Sequence, residues 1–364
     1  MTSGVQRSEA RNAIIVRYGA DACIGATELM WAVGAGYELR GDMHVGIKPN
    51  LVVAKPCSTG ATTSPDVVAG IVEFLRECGV GRITVMEGSW AGESTKKSWR
   101  VCGYEKLAER YGLRLLDLKE DRTRSVTCDG FSFEVCASPL EVDYLINVPV
   151  LKGHCQTLMT CALKNLKGCL PDREKRRFHQ EGLHLPIALL NTVLRPNVIL
   201  VDALCGDVSF EEGGNPIPTN RLIAGRDPVC VDAYGASLMG IPLSEVRHIG
   251  LAERLGVGTT DVGKVAEIGH DASKAEVRAL PPAVRHLASL VEERSACSVC
   301  YASLIHALYR TGGRKRSAGK IKIGQGFRGE TGPGVGVGEC AAGFDCAVRG
   351  CPPKAEDIVR VLAG

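Results

Sequence analysis

Aromatic residues make up only 5% of this 364-residue chain. No stretch approaches the roughly eighteen consecutive apolar residues that a membrane-spanning helix needs. Without aromatics interleaved among basic residues there is no base-stacking surface, and a formal charge of +3 is too small to imply nucleic acid. The opening Met1-Thr-Ser-Gly-Val-Gln-Arg-Ser-Glu9 has no apolar core and does not read as a secretory signal. There is no G-x-x-x-x-G-K-[ST] phosphate loop and no H-E-x-x-H zinc helix. The glycine run Gly332–Gly338 lacks the strand–turn–helix context of a dinucleotide site. These absences leave a chain expected in the cytoplasm, with no membrane and no nucleic acid among its partners.

Cysteine, by contrast, is plentiful: sixteen residues, which a reducing compartment keeps as thiols. Most stand singly in apolar surroundings, as Cys78, Cys161 and Cys230 do, and read as core filler. The C-terminal group differs. Cys297-Ser-Val-Cys300 places two sulfurs on one turn, and Cys340, Cys346 and Gly350-Cys351-Pro352-Pro353 follow. Soft thiolates at such spacing suit an iron–sulfur cluster, with a structural zinc site as the lesser alternative. The expected ligands of a 4Fe–4S cluster are Cys297, Cys300, Cys340 and Cys351, with Cys346 as substitute. Glycines around Ile321–Phe327 and Gly332–Gly338 let backbone amides approach such a group.

Upstream, apolar runs alternate with helical periodicity. Strands are expected at Ala13–Tyr18, Met43–Asn50, Arg82–Glu87, Leu113–Leu118, Asp143–Leu151, Asn197–Asp202, Leu222–Gly225 and Lys264–Ile268. Ser64-Pro65-Asp66 starts a helix that runs to Gly79. Further helices are expected over Thr157–Lys167, from Asp227-Pro228 to Met239, near Ser244–Leu255, and from Ala283 to Tyr309. Arg173–Arg177 reads as a solvated basic face. The pattern predicts an α/β domain over residues 1–280, a mostly parallel or mixed sheet covered by helices. A helix and a small cysteine-rich region would fill 281–364, with turn residues of Gly269–Pro282 and the basic Arg314–Lys322 bracketing the helix.

Four of these strands end in polar groups: Lys48 and Asn50, Glu87, Lys152 and His154, and Asp202. Ligands of open α/β sheets bind at strand carboxyl ends, so parallel neighbours would bring these groups to one cleft. Lys164 and Lys167 lie three apart on the helix expected to follow Lys152, whose positive end would add to their charge. Lys48, Lys152, Lys164 and Lys167 suit a small anionic ligand such as a carboxylate or phosphate. His154 suits proton transfer near neutral pH, or a structural hydrogen bond. Glu87, Asp202 and Glu212 suit orienting the lysines, acting as a base or holding a hard cation. Asn50 and Asn165 complete the candidate contacts. A Lys164→Met change keeps the length and apolar stem of the side chain, so helix stability is expected to change little.

Gly46-Ile-Lys-Pro-Asn-Leu-Val, Thr62-Thr-Ser-Pro-Asp-Val-Val, Lys152-Gly-His-Cys-Gln-Thr, Ala162-Leu-Lys-Asn-Leu-Lys-Gly and Ala224-Gly-Arg-Asp-Pro-Val-Cys-Val-Asp together resemble the domain of unknown function family 362. The resemblance covers roughly residues 43–255. The cysteine-rich tail is similar to an extension carried by some members, which implies iron–sulfur binding. A weaker likeness links the N-terminal domain of lactate racemase, whose catalytic histidines have no match here. The leading expectation is an iron–sulfur redox protein relaying electrons from a low-potential donor protein to a small anionic ligand or a partner. The alternatives are a non-redox racemase- or lyase-like enzyme with a structural metal site, and a cofactor or cluster maturation factor.

Overall fold

Runs buried on both faces build the central sheet. A computed structural model describes residues 11–19, 21–208, 210–214, 216–268, 287–314 and 319–363. The opening Met1–Glu9, the Gly269–Pro282 turn residues, the helix start at Ala283 and the boundary at 280 lie outside these residues. So do 315–318 of the basic stretch. Two units are distinguished: Met1–Lys175 with His184–Ala279, and Arg176–Leu183 with Leu280–Gly364. Segment 176–183 therefore counts with the C-terminal unit.

In the first unit the strands are β1 (Ile14–Tyr18), β2 (His44–Pro49), β3 (Arg82–Glu87), β4 (Arg114–Asp117), β5 (Thr123–Cys128), β6 (Phe131–Cys136), β7 (Tyr144–Val148), β8 (Lys152–His154), β9 (Leu158–Thr160), β10 (Val198–Asp207), β11 (Pro216–Gly225) and β12 (Val265–Ile268). Eight form one sheet in the order β12-β1-β11-β10-β7-β2-β3-β4. Neighbours from β10 to β4 are parallel, whereas β11 runs antiparallel to both β10 and β1. The fold is α/β with a mixed sheet. Every residue of β7 is buried, as expected for a central parallel strand covered on both faces. Hairpins β5–β6 and β8–β9 stand outside the sheet.

Helix Pro65–Glu77 begins as its sequence dictates. Ser64 caps it by accepting from the Asp66 N–H, proline occupies its first turn, and Gly79 follows its end at φ +79°. Its Gly70 meets helix Ala22–Ala32 so closely that an added Cβ would lie 2.1 Å from the Cys23 carbonyl oxygen. The Thr27 hydroxyl donates to the Gly70 carbonyl across this contact, at 2.9 Å. Only glycine fits there.

Three expected elements differ. Thr157–Lys167 is not one helix: Leu158–Thr160 pairs with Lys152–His154, and helix Ala162–Asn165 passes into a 3₁₀ turn, Leu166–Cys169. Thr157 consequently offers no positive helix end. The Asp232 carboxylate, accepting from the Ala162 and Leu163 N–H groups at 2.6 and 3.3 Å, sets the later start. Arg173–Arg177 is not wholly solvated either. It lies in helix Asp172–Gln180, where Lys175 is buried and donates to the Gly88 and Ser89 carbonyls at 3.0 and 2.8 Å. The helix expected from Ala283 to Tyr309 is interrupted: residues 287–289 are helical, Val291–Glu293 forms a strand, and a separate helix runs over Ser298–Arg310.

The C-terminal unit holds β13 (Val291–Glu293), β14 (Ile321–Ile323), β15 (Gly332–Val337) and β16 (Phe344–Val348), all parallel and in chain order. Residues 324–331 and 338–343 alone connect the last three, each through one 3₁₀ turn. Gly336 permits this coiling: an added Cβ would lie 2.0 Å from the Ala341 carbonyl oxygen. Phe327, Ala341 and Phe344 form the core beneath the turns, the two rings edge-to-face at 5.8 Å. Helices Ser298–Arg310 and Ala355–Ala363 pack against each other. Among the described residues no helix is long and apolar enough to cross a membrane.

Candidate functional site

β10, β7, β2 and β3 are consecutive parallel neighbours, so their carboxyl ends point the same way. Lys48 at the end of β2 is fully buried and pairs with Glu87 at the end of β3, Nζ to Oε1 2.9 Å. Glu87 also accepts from the Leu51 and Gly88 N–H groups, both at 2.8 Å. Gly168 lets the next segment close over this pair, since a Cβ there would lie 2.4 Å from Glu87 Oε1. Lys152 enters from the opening of the β8–β9 hairpin. Its ammonium donates to Asn50 Oδ1 at 3.0 Å, the Ala61 carbonyl at 2.5 Å and the Glu211 carbonyl at 3.0 Å. All three of its protons are used. Burial pulls its pKa down to about 8, against the attraction of Glu211.

The centre of this group is Glu211. Lys164 Nζ lies 2.6 Å from its Oε1, and His154 Nε2 lies 3.0 Å from its Oε2. Burial alone would raise the Glu211 carboxyl, but Lys164 first and then His154 hold it well below the usual carboxylate range. His154 Nδ1 accepts from the Gln156 and Thr157 N–H groups at 3.1 and 3.0 Å. The Nε2 proton therefore faces Glu211, and burial, then Lys164, lowers the ring to about 4. His154 is a neutral donor at pH 7. Three carboxamides tie the group to the sheet: Asn50 donates to Asn165 Oδ1 at 2.9 Å, Asn165 to Asn147 Oδ1 at 2.7 Å, and Asn147 to the Ala162 carbonyl at 2.9 Å.

Lys48, Asn50, Glu87, Lys152, His154, Lys164 and Asn165 are thus brought together. Lys167 lies half-buried in the 3₁₀ turn that follows. Asp202 turns to the backbone instead, accepting from the Ser64 and Leu204 N–H groups at 2.8 and 3.1 Å, and burial raises its pKa to about 6. Sequence reasoning missed Glu211, Asn147 and Lys175. Adjacent glutamates in a turn carry no periodicity to say which one faces inward, and only the Lys164 and His154 contacts decide it.

Glu212 has both carboxyl oxygens buried and, among the described residues, without a hydrogen-bond partner. Burial, then Glu211, raises its pKa to about 7 from an ordinary 4.5. A pKa raised in the fold gives stability that is present below about 4.5 and lost as pH rises through about 7. Glu212→Gln, neutral throughout, should therefore gain on the wild type by about 1–3 kcal/mol between pH 5 and 8. Urea midpoints at the two pH values check this; an equal difference at both would place the carboxyl in water. His154, and His248 lowered by burial to about 3, work oppositely. Their contribution is present above about 6.5 and lost as pH falls through these values.

In the C-terminal unit the four parallel strands all end on one side. Cys297 immediately precedes helix Ser298–Arg310, just after β13, Cys300 lies in its first turn, Cys340 follows β15 and Cys351 follows β16. Cys297 hydrogen-bonds Cys300 and, ahead of burial, raises its thiol; Cys351 and Cys340 raise it further. These thiols are therefore neighbours. Cys346 lies within β16 and is exposed. Among the described residues no three His, Cys, Asp or Glu side chains are set in ligating geometry. Ligation requires the thiols to lose their protons, so the raised Cys300 thiol makes binding of such a group release a proton. In donor type and convergence, Cys297, Cys300, Cys340 and Cys351 fit a thiolate-bound group.

A family model described as "Domain of unknown function (DUF362)" matches residues 45–237, a span that includes every member of the buried Lys–Glu–His group. Among curated proteins the chain is similar to the thylakoid-associated protein sll1697 of Synechocystis. The identity is 25% over 245 residues, 65% of this chain and 75% of that protein. Among solved structures it is similar to the lactate racemase apoprotein from Thermoanaerobacterium thermosaccharolyticum, with a TM-score of 0.39 and 13% identity. That alignment covers 64% of this chain and 58% of the racemase chain.

Proposed function

The chain belongs to the DUF362 family, and from that premise we propose that it is an iron–sulfur redox protein acting with a small anionic ligand. The observation that carries the reading is the convergence of four cysteines at the carboxyl ends of parallel strands in the C-terminal unit. Cys297, Cys300, Cys340 and Cys351 would hold a 4Fe–4S cluster. Such a group supplies one-electron transfer, with a low-potential electron-donor protein as the expected source.

The first unit supplies charge and protons. Lys48 is paired with Glu87 and Lys164 with Glu211, whereas Lys152 is bound to three neutral oxygens, so its charge is the one with no carboxylate in direct contact among the described residues. Glu212, with a pKa of about 7 and no partner among the described residues, is the group suited to give or take a proton. His154 and Lys164 fix Glu211 and so hold the turn from which Glu212 projects.

Anaerobically purified protein should contain iron and acid-labile sulfide in comparable amounts. Stoichiometric zinc without sulfide, after anaerobic reconstitution, would refute the reading. A second reading, a non-redox acid–base enzyme with a structural metal, draws on the same Glu212 carboxyl. Turnover that survives removal of iron would favour it.

A further inference from the structure

Two side chains in the connection between β14 and β15 aim N–H groups at sulfur. Arg328 Nε lies 3.4 Å from Cys340 Sγ, and Gln325 Nε2 lies 3.9 Å from Cys297 Sγ. The Gln325 amide is oriented rather than free to turn. Gln180 Nε2 donates to its Oε1 at 2.7 Å, which turns the nitrogen toward the Ser295 carbonyl, at 3.4 Å, and toward sulfur. Arg328 differs from the other arginines nearby. Arg294 is paired with Glu292 and Glu330, and Arg349 with Glu339, whereas among the described residues Arg328 has no ion pair. Its charge also acts on Cys351 and Cys297. An uncompensated cation held against four converging thiols is suited to a group that becomes more negative.

We propose that the 325–328 turn sets the reduction potential of the cluster held by these cysteines. Arg328 and Gln325 donate hydrogen bonds to the sulfurs of Cys340 and Cys297, which stabilises the reduced, more negative state and raises the potential. Reduction adds one electron from an external low-potential donor, and no bond is made or broken. The proposal rests on the iron–sulfur reading above. Arg328 is a positioning residue: it is exposed, so replacing it should leave the fold and the four cysteines in place.

The test is an anaerobic redox titration of the full chain with dithionite and mediators, followed by visible absorbance and electron paramagnetic resonance. At the potential where the wild type is half reduced, Arg328→Met should show a reduced-to-oxidised ratio about tenfold lower, a midpoint about 59 mV more negative. Gln325→Leu should move the ratio about threefold in the same direction, and Arg328→Lys should fall between wild type and Arg328→Met. Iron and sulfide content should be unchanged. A midpoint in Arg328→Met equal to the wild type's overturns the proposal while leaving the cluster reading intact. Loss of iron from Arg328→Met also overturns it, because the residue then serves retention. Zinc without sulfide in the wild type overturns the reading beneath it.

Discussion

Cys297→Ser, Cys300→Ser, Cys340→Ser and Cys351→Ser should each lose most of the iron that the wild type retains through gel filtration, whereas Cys346→Ser should keep it. Soft thiolate donors supply most of the affinity for iron, and a serine oxygen is a poor replacement. The contrast with Cys346 is geometric. The four lie after the ends of β13, β15 and β16, on one side of a parallel sheet, while Cys346 is fixed within β16. Iron per chain and visible absorbance measure the outcome. Iron lost from Cys346→Ser but retained in Cys340→Ser would reverse the assignment. Because Cys346→Ser changes an exposed side chain, it also controls for handling.

Lys164→Met should destabilise the protein by about 3–5 kcal/mol, the cost of leaving a buried partner charge uncompensated. This reverses the expectation from a helix face. Lys164 is 5% exposed and sits 2.6 Å from Glu211, which among the described residues would retain only the neutral His154 as a side-chain donor. Glu211→Gln should cost a similar amount by stranding Lys164. The double variant should cost less than the two single losses added, since each alone abandons the other's charge. Denaturant midpoints of the three variants decide it. A Lys164→Met loss below about 1 kcal/mol would mean that the pair is solvated, as surface pairs are. Ligand affinity is then measured on Lys164→Gln only where it remains folded, so stability and binding are read apart.

Much of the scaffold was legible because its signals are local. Arg82–Glu87 carries Ile83, Val85 and Met86 around a single threonine and forms β3 with the same bounds. Ser64-Pro65-Asp66 satisfies a helix start within three residues, and that helix begins at Pro65. The run into Lys152 misled in the opposite way. Thr157–Lys167 has helical periodicity, but β8 and β9 satisfy one another's backbone, and Asp232, some seventy residues further on, receives the first helical N–H groups. No local pattern contains that partner.

The candidate sites divide along the same line. Residue types and spacing by themselves determined that thiols gather in the C-terminal region and that Lys48 and Glu87 stand at strand ends, because a strand's end and a cysteine's chemistry are properties of short segments. Lys152 and His154, expected at the end of β7, lie beyond it in the β8–β9 hairpin. Tertiary structure alone decided which charges meet. The order β10-β7-β2-β3 places Lys48 against Glu87, the β8–β9 hairpin turns His154 toward Glu211, and Glu212 is left buried without a partner among the described residues. Burial is what gives those pairings their consequence. A lysine in water is an available cation, but the same lysine without solvent must find its counter-charge within the fold, and that counter-charge is set by topology rather than by neighbouring residues.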